Sequence, residues 1–336
     1  MRLLFLYLFL AILGLSACQN SAVDPAQNTS DIALTIERLD QAMFQMDSLH
    51  LKDSLSVMEK QYPFLKEVLS KQMLALDTNQ WLLGLQNFIR VYRPIYLECS
   101  VLQAPALAQP QIQMLFKRVQ YYFPQYKLPK KIIYFIGPLE GYGNSIGIDY
   151  MAIGLQMYLG AKSHWYQSEE FQKYFPAYLS QFFTPDYIPI AAAKNLIQDI
   201  APNEMATHSL IVEMIELGKR QFILKKLLPQ TNEPSLLGYT SKQYDAILNA
   251  EQDIWNYLLK MNLIYSKDPT VLNNMLGEAP FSAYFGNEVP GKAGLFIGYK
   301  IVESWMAQQS NSKQAELDAL IQISPEQLFA ESKYHP

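Results

Sequence analysis

The cysteine at position 18 stands in a pattern that predicts covalent attachment of lipid. Residues 15–18 read Leu-Ser-Ala-Cys, a branched apolar residue, two small residues and a cysteine. This is the order of a bacterial lipobox, in which the thiol accepts a diacylglycerol thioether before the peptidase cuts. The apolar run in front of it, Leu3 to Leu15, spans only about 20 Å as a helix, too short for a permanent membrane span. The alternative is an ordinary secretory signal with an accidental cysteine.

This pattern divides the chain into a signal peptide (1–17), a flexible tether (18–30) and a single globular domain (31–330). The tether is small and polar, and a coil of this length spans roughly 20 Å on average. Acyl chains on Cys18 anchor a protein stably in a membrane. Acylation leaves Cys99 as the last free cysteine, so no intramolecular disulfide is expected. Cys99 lies in an apolar helical pattern, and we interpret it as a buried, unreactive thiol.

The histidines and glutamates offer a weak basis for hydrolytic or metal chemistry. The histidines are His50, His164, His208 and His335. No HExxH motif occurs and no two histidines lie within four residues, so a helical zinc site of that type is not expected. His208 and Glu213 are about 140° apart around a helix and should not share a face, whereas Glu213 and Glu216 should. We interpret Glu213 and Glu216 as a solvated acidic stripe or helix cap and keep them as candidate partner-binding residues. A rearranged hydrolase site that combines them with His164 or His208 is the alternative.

Residues 277–298 form an unusual segment that is rich in glycine and proline, GEAPFSAYFGNEVPGKAGLFIG. It leads into a predicted helix, and the glycines at 291, 294 and 298 would let that helix approach another backbone closely. One interpretation is a loop that shapes a partner-binding groove lined by Asn287, Glu288 and Lys292. The other is a tight packing seam with no binding role.

Composition excludes some classes of function. Half of the residues are hydrophobic and the net charge is −4, so the chain suits a protein with a large core and not one that binds nucleic acid through its phosphates. Aromatic residues make up 13% of the chain, which permits stacking on sugars. A glycan-binding lipoprotein is therefore a further alternative, although aromatic residues at helical spacing usually belong to a core.

The predicted elements give a helix-dominated α+β fold with a small antiparallel sheet. A first helical part starts at Asp31, with Ile32, Ile36, Leu39 and Met43 at helical spacing. Residues 131–136 (KIIYFI) read as a buried strand, and 145–148 and 151–155 as two further short strands. The remainder, from 187 onwards, is helical again.

Several long stretches resemble the gliding-motility lipoprotein family GldB of Bacteroidetes. They are residues 121–136 (YYFPQYKLPKKIIYFI), 153–160 (IGLQMYLG), 212–229 (VEMIELGKRQFILKKLLP) and 278–306 (EAPFSAYFGNEVPGKAGLFIGYKIVESWM). The resemblance implies an envelope lipoprotein tied to gliding motility and to the associated protein secretion, with no established catalysis. It implies a non-catalytic binding or assembly component without cofactors. Its partners would be the membrane, through the acyl chains on Cys18, and proteins of the motility and secretion machinery.

GldB-like proteins are in turn remotely similar to predicted zinc peptidases, which carry HExxH on a helix ahead of an E-x-G segment and a later PGxxGxxxGYxIV segment. Residues 216–218 (ELG) and 290–302 (PGKAGLFIGYKIV) fit the later parts. The helix expected to hold the metal reads IPIAAAKNLIQ (188–198), with alanines, Lys194 and Asn195 where ligands would be needed. The resemblance therefore implies a peptidase-like fold without its metal site.

The residues after the lipobox also predict where the protein resides. Gln19, and not aspartate, follows Cys18, which by the usual sorting logic favours the outer membrane, and no acidic run of the kind that accompanies surface display comes next. We expect an outer-membrane lipoprotein that faces the periplasm.

Overall fold

A computed structural model of the chain describes residues 24–46, 51–76, 80–141, 143–202, 208–309 and 313–336. The predicted signal peptide and lipobox, with Cys18, lie outside these residues. Within them, no helix combines the length and the apolar character needed to cross a membrane. The buried side chains of the described residues form one cluster that extends from Leu39 to Tyr334.

A mixed sheet of four strands lies in the first half of the described chain. The strands are β1 (Thr35–Arg38), β2 (Lys131–Phe135), β3 (Asn144–Ile146) and β4 (Tyr150–Gly154), in the order β1-β2-β4-β3. The pairs β1/β2 and β2/β4 are parallel, and β3/β4 is antiparallel. Consecutive residues of β2 and of β4 are buried, so both faces of the two central strands are covered.

The α+β, helix-dominated class is confirmed, but the antiparallel sheet is corrected to a mixed one. The strand at 131–135 is confirmed, and the two short strands after it are found with shifted bounds. The helix expected from Asp31 is wrong at its start, because Thr35–Arg38 is an edge strand that pairs with β2. Each of its residues pairs with one that lies 96 positions later in the chain, and a pattern of local spacing carries no information about so distant a partner.

The first group of helices lies between β1 and β2 in the chain. These helices are α1 (Leu39–Phe44), α2 (Leu51–Gln61), α3 (Leu65–Met73, wound as a π-helix), α4 (Trp81–Leu102) and α5 (Ala104–Tyr122). Helix α1 packs on β2 and on α4. Cys99 of α4 is buried, as predicted, and burial raises the pKa of its thiol.

The second group follows the sheet. It consists of α6 (Glu169–Tyr174), α7 (Ala177–Ser180), α8 (Ile188–Ile200), α9 (Leu210–Leu227), α10 (Glu233–Leu237), α11 (Ser241–Asn249), α12 (Glu251–Lys260), α13 (Pro269–Leu276), α14 (Ala293–Met306), α15 (Lys313–Gln322) and α16 (Pro325–Ser332). Short 3-10 turns lie at Pro25–Asn28, Leu155–Met157, His164–Gln167 and Pro185–Tyr187. Helix α8 packs on β3, β4, α5 and α9, and thereby joins the sheet to the helical part.

Helices α9 and α14 cross with their backbones in contact. A Cβ on Gly298 would lie 1.8 Å from the carbonyl oxygen of Met214, and one on Gly218 would lie 2.3 Å from the carbonyl oxygen of Gly298. The close approach predicted for the glycines at 291, 294 and 298 is confirmed, because a Cβ at each of them would also collide with a neighbour. Only glycine permits this crossing.

The segment before β1 is fixed on the body and not free. The Asp24 carboxylate accepts hydrogen bonds from Arg118 Nε at 3.0 Å and Nη2 at 2.5 Å, and the buried Arg118 also donates to the carbonyl of Leu227. Burial opposes ionisation of Asp24, but the bonds from Arg118 and from the Ala26 N–H outweigh it and lower the pKa of the carboxyl group. Residues 24–30 therefore lie against the body. The rest of the predicted tether, positions 18–23, lies outside the described residues.

Candidate functional site

A cleft of about 280 Å³ lies where α8, α9 and the start of α14 meet. Its apolar wall consists of Ile197, Leu217, Leu224, Leu237, Leu276 and Leu295. Its polar lining consists of Lys194, Gln198, Arg220, Gln221, Glu278 and Lys292. Apolar walls with a few convergent polar groups are the usual make-up of a ligand-binding cleft, so this is the candidate site.

Helix α8 presents two of the polar residues on one face. Lys194 and Gln198 are four positions apart and both exposed, while Leu196 and Ile197 between them are buried. The ammonium of Lys194 donates to the Tyr187 hydroxyl at 3.0 Å and lies over the ring of the same tyrosine. The ammonium of Lys194 is thus bonded to a neutral hydroxyl group.

Helix α9 supplies a guanidinium and an amide that are incompletely bonded. Arg220 donates to the side chain and carbonyl of Glu216 and to the carbonyl of Ala201, but its Nε has no partner. Gln221 is 5% exposed and its Nε2 also has no partner. A buried donor without a partner costs about 1–3 kcal/mol, and here two such donors sit on adjacent residues that line one cleft.

Lys292 enters the cleft from the loop before α14. It precedes the helix in a left-handed conformation, with φ +59°, which is uncommon for a residue with a side chain. Its ammonium lies 3.1 Å from the Glu278 carboxylate and 3.4 Å from the carbonyl of Leu237. The cleft therefore has three cationic side chains and one carboxylate, and that carboxylate is half-exposed and already paired.

The three residues predicted to line one groove lie in two different cavities of the structure. Lys292 lines the cleft, whereas Asn287 and Glu288 are exposed and line a different cavity of about 370 Å³ beside α11. Glu213 and Glu216 do not form a solvated stripe. Glu213 is 7% exposed, and Glu216 accepts from Lys219 at 2.8 Å and from Arg220 at 3.3 Å.

The expectation that His208 and Glu213 do not meet is wrong. His208 lies before the first residue of α9, so helical geometry does not apply to it, and its Nδ1 is 3.3 Å from Glu213 Oε1. His164 is exposed in a 3-10 turn beside Trp165. Across the described ranges, no three His, Cys, Asp or Glu side chains come close enough together to hold a metal ion.

Sequence reasoning missed Lys194, Arg220 and Gln221 as parts of a site. From the sequence, Lys194 stands out only as a residue that is unsuited to bind a metal cation. The signal that could have found the cleft is a cation in each of the two stretches considered together above, Lys194 in 188–198 and Lys292 in 290–302. Arg220 and Gln221 carry no such signal, because they follow Glu216 in an ordinary helical pattern.

Comparison with known proteins places the whole described chain in one family. A family model described as gliding motility protein GldB matches residues 20–336. A search of curated proteins and a search of solved structures each gave no match. The match covers every element from β1 to α16, including the three helices that form the cleft. The chain therefore belongs to the gliding motility protein GldB family of lipoproteins.

Proposed function

We propose that this protein is a lipid-anchored, non-catalytic component of the gliding-motility machinery that holds a protein partner through the cleft between α8, α9 and α14. The observation that carries the proposal is the lining of that cleft. It presents Lys194, Arg220 and Lys292 against the single carboxylate of Glu278. Ammonium and guanidinium groups are donors and cannot act as acceptors of a proton at neutral pH, so this lining suits recognition better than bond cleavage.

Anchoring places the cleft in the cell envelope. Membership of a lipoprotein family supports acylation at Cys18. Between Cys18 and the fixed Asp24 the chain has six steps, which reach about 20 Å when fully extended. The body therefore works close to its membrane, which we infer to be the periplasmic face of the outer membrane. Labelled palmitate should enter the native protein and not Cys18→Ala, and protease added to intact cells should leave the protein whole.

Complementation tests the cleft. A strain of the native host that lacks the gene receives either the native gene, Lys194→Glu or Lys260→Glu. Lys260 is exposed on α12, and its side chain is not part of the cleft, so it controls for the change of charge. We expect Lys194→Glu to impair colony spreading and secretion at a normal protein level, while Lys260→Glu restores both. Full restoration by Lys194→Glu would refute the role of the cleft.

A second candidate, glycan binding, has one observation in its favour. A cavity of about 420 Å³ is lined by amides and hydroxyls, by the carboxylate of Asp186 and by the rings of Phe182 and Tyr187. The amides belong to Gln111, Gln181, Gln230 and Asn232. Amide side chains and aromatic faces suit sugar hydroxyls and C–H groups. Retention of the native protein, but not of Tyr187→Ala, on envelope polysaccharide would support this function.

A further inference from the structure

The charges in and beneath the cleft do not balance. Lys194 bonds to a neutral hydroxyl, and the Glu216 carboxylate is shared between Arg220 and Lys219. Lys292 alone has a carboxylate of its own, that of Glu278. The carboxylate that α8 itself carries, that of Asp199, is not part of the lining and accepts a hydrogen bond from Tyr126. The cleft therefore has an excess of positive charge beside a wall of low polarity, where a bound anion is screened least.

The two donors without partners add a second requirement: an occupant of the cleft should supply a hydrogen-bond acceptor. Arg220 Nε and Gln221 Nε2 belong to residues that line the cleft, and neither has a hydrogen-bond partner. Both atoms are shielded from solvent, so an occupant reaches the Gln221 amide only when that side chain rotates toward the cleft. A carboxylate offers several acceptor positions at once and can satisfy an amide and an ammonium together.

The size and the wall of the cleft restrict what accompanies the anion. A volume of about 280 Å³ is at the lower end of the range for ligand sites. The wall is made of leucine and isoleucine side chains. Such a space accepts one aliphatic side chain with its charged neighbour, and it is too small for a phospholipid with two acyl chains.

We propose that the cleft recognises a peptide segment in which a carboxylate adjoins an aliphatic side chain. Lys194 pairs with the carboxylate, the amide of Gln221 donates to it, and the leucine wall covers the aliphatic group. The carboxylate is either the C-terminus of the partner or the side chain of an aspartate or glutamate. The inference rests on the proposed function, because it names the partner chemistry of the same cleft.

Calorimetry on the full chain in detergent tests this with three peptides. They are acetyl-Ala-Ala-Leu with a free C-terminal carboxylate, the same peptide as its amide, and acetyl-Ala-Leu-Glu as its amide. Binding of the first alone identifies a C-terminus, and binding of the first and third, or of the third alone, identifies a carboxylate that a side chain can supply. Each of these results supports the proposal. Equal binding of the uncharged amide, or no binding of any peptide at concentrations of roughly 5 mM, overturns it.

Variants and a lipid competitor locate the binding. Lys194→Gln should weaken the charged peptides about tenfold, and Gln221→Leu should weaken them as well, whereas Lys260→Gln should not. Raising the salt concentration should weaken binding to the native protein. If Lys194→Gln binds as tightly as the native protein, or if dihexanoyl-phosphatidylglycerol displaces the peptides and binds more tightly, the proposal is overturned.

The two proposals fail in distinguishable ways. If no peptide carboxylate binds but Lys194→Glu still abolishes spreading, the cleft serves the cell through another ligand and only the present inference is refuted. If the carboxylate peptides bind and depend on Lys194 but Lys194→Glu cells spread normally, the ligand chemistry holds and the proposed function is refuted.

Discussion

The crossing of α9 and α14 provides the sharpest test of the structure, through the substitution Gly298→Ala. The new Cβ would lie 1.8 Å from the carbonyl oxygen of Met214, so the two helices must separate by about 1.5 Å to restore an ordinary contact. The atom that this Cβ would strike belongs to the backbone of α9 and cannot rotate away. Insertion of one carbon into a packed core costs typically about 1–3 kcal/mol and more when neighbours cannot yield.

The net effect can be estimated from these terms. Because the new Cβ strikes backbone, we expect a strain cost of about 4 kcal/mol, above that range. Alanine favours a helix over glycine by about 1 kcal/mol, which leaves a net loss of about 3 kcal/mol in the free energy of unfolding. With an unfolding entropy of about 2.1 cal/mol/K per residue and some three hundred folded residues, this lowers the melting temperature by about 5 °C. Circular dichroism of the purified full chain on heating measures it.

Gly84→Ala in α4 is the matched control. Its Cβ would meet only the side chain of Leu76, at 2.5 Å, and a flexible side chain can move. The gain in helix propensity and the displacement of Leu76 should offset each other to within about 1 kcal/mol. The control should therefore melt within about 2 °C of the native protein. If Gly298→Ala also melts within about 2 °C, then the two backbones are not in contact and the argument for the crossing is wrong.

Three further predictions follow from single side chains. Tyr299→Phe should lower stability by about 2–3 kcal/mol, seen in the same melting experiment, because the buried Tyr299 hydroxyl lies 2.6 Å and 2.7 Å from two carboxylate oxygens. The pKa of Asp24 is lowered in the folded protein, so its contribution to stability is complete above its ordinary value of about 3.9 and is lost as the pH falls through the lowered value. Limited proteolysis should therefore cleave the segment before β1 at low pH, and Asp24→Asn should make it sensitive at pH 7; equal resistance in both would contradict the Arg118 ion pair. The buried thiol of Cys99, whose pKa is raised by burial, should react with a thiol reagent only after unfolding, and rapid labelling of the native protein would show that it is accessible.

Helices and close-packed glycines were predictable because their signals are local. The apolar spacing of α4, α8 and α14 recurs within a few residues, and burial then follows from the period. Gly298 was predictable for the same reason, since Gly294 and Gly298 lie four positions apart and place small residues on one face of a helix.

Features that depend on distant parts of the chain were not predictable in this way. The edge strand Thr35–Arg38 has only four residues, and its identity as a strand comes from pairing with β2. The contact of His208 with Glu213 depends on where α9 begins, and helix ends are the least certain part of a sequence-based prediction. The cleft combines α8, α9 and the loop before α14, and only the folded chain brings them together.

The residue that argues against a metal in this cleft is also the one that gives the cleft its chemistry. The ammonium group of Lys194 repels a divalent cation and attracts an anion, so its position on α8 favours an anion in the cleft. Helix α9 adds Arg220 and the loop before α14 adds Lys292, so the lining carries three cations against one carboxylate. The proposed carboxylate of a partner would meet this excess of positive charge, and the apolar wall would cover its aliphatic neighbour.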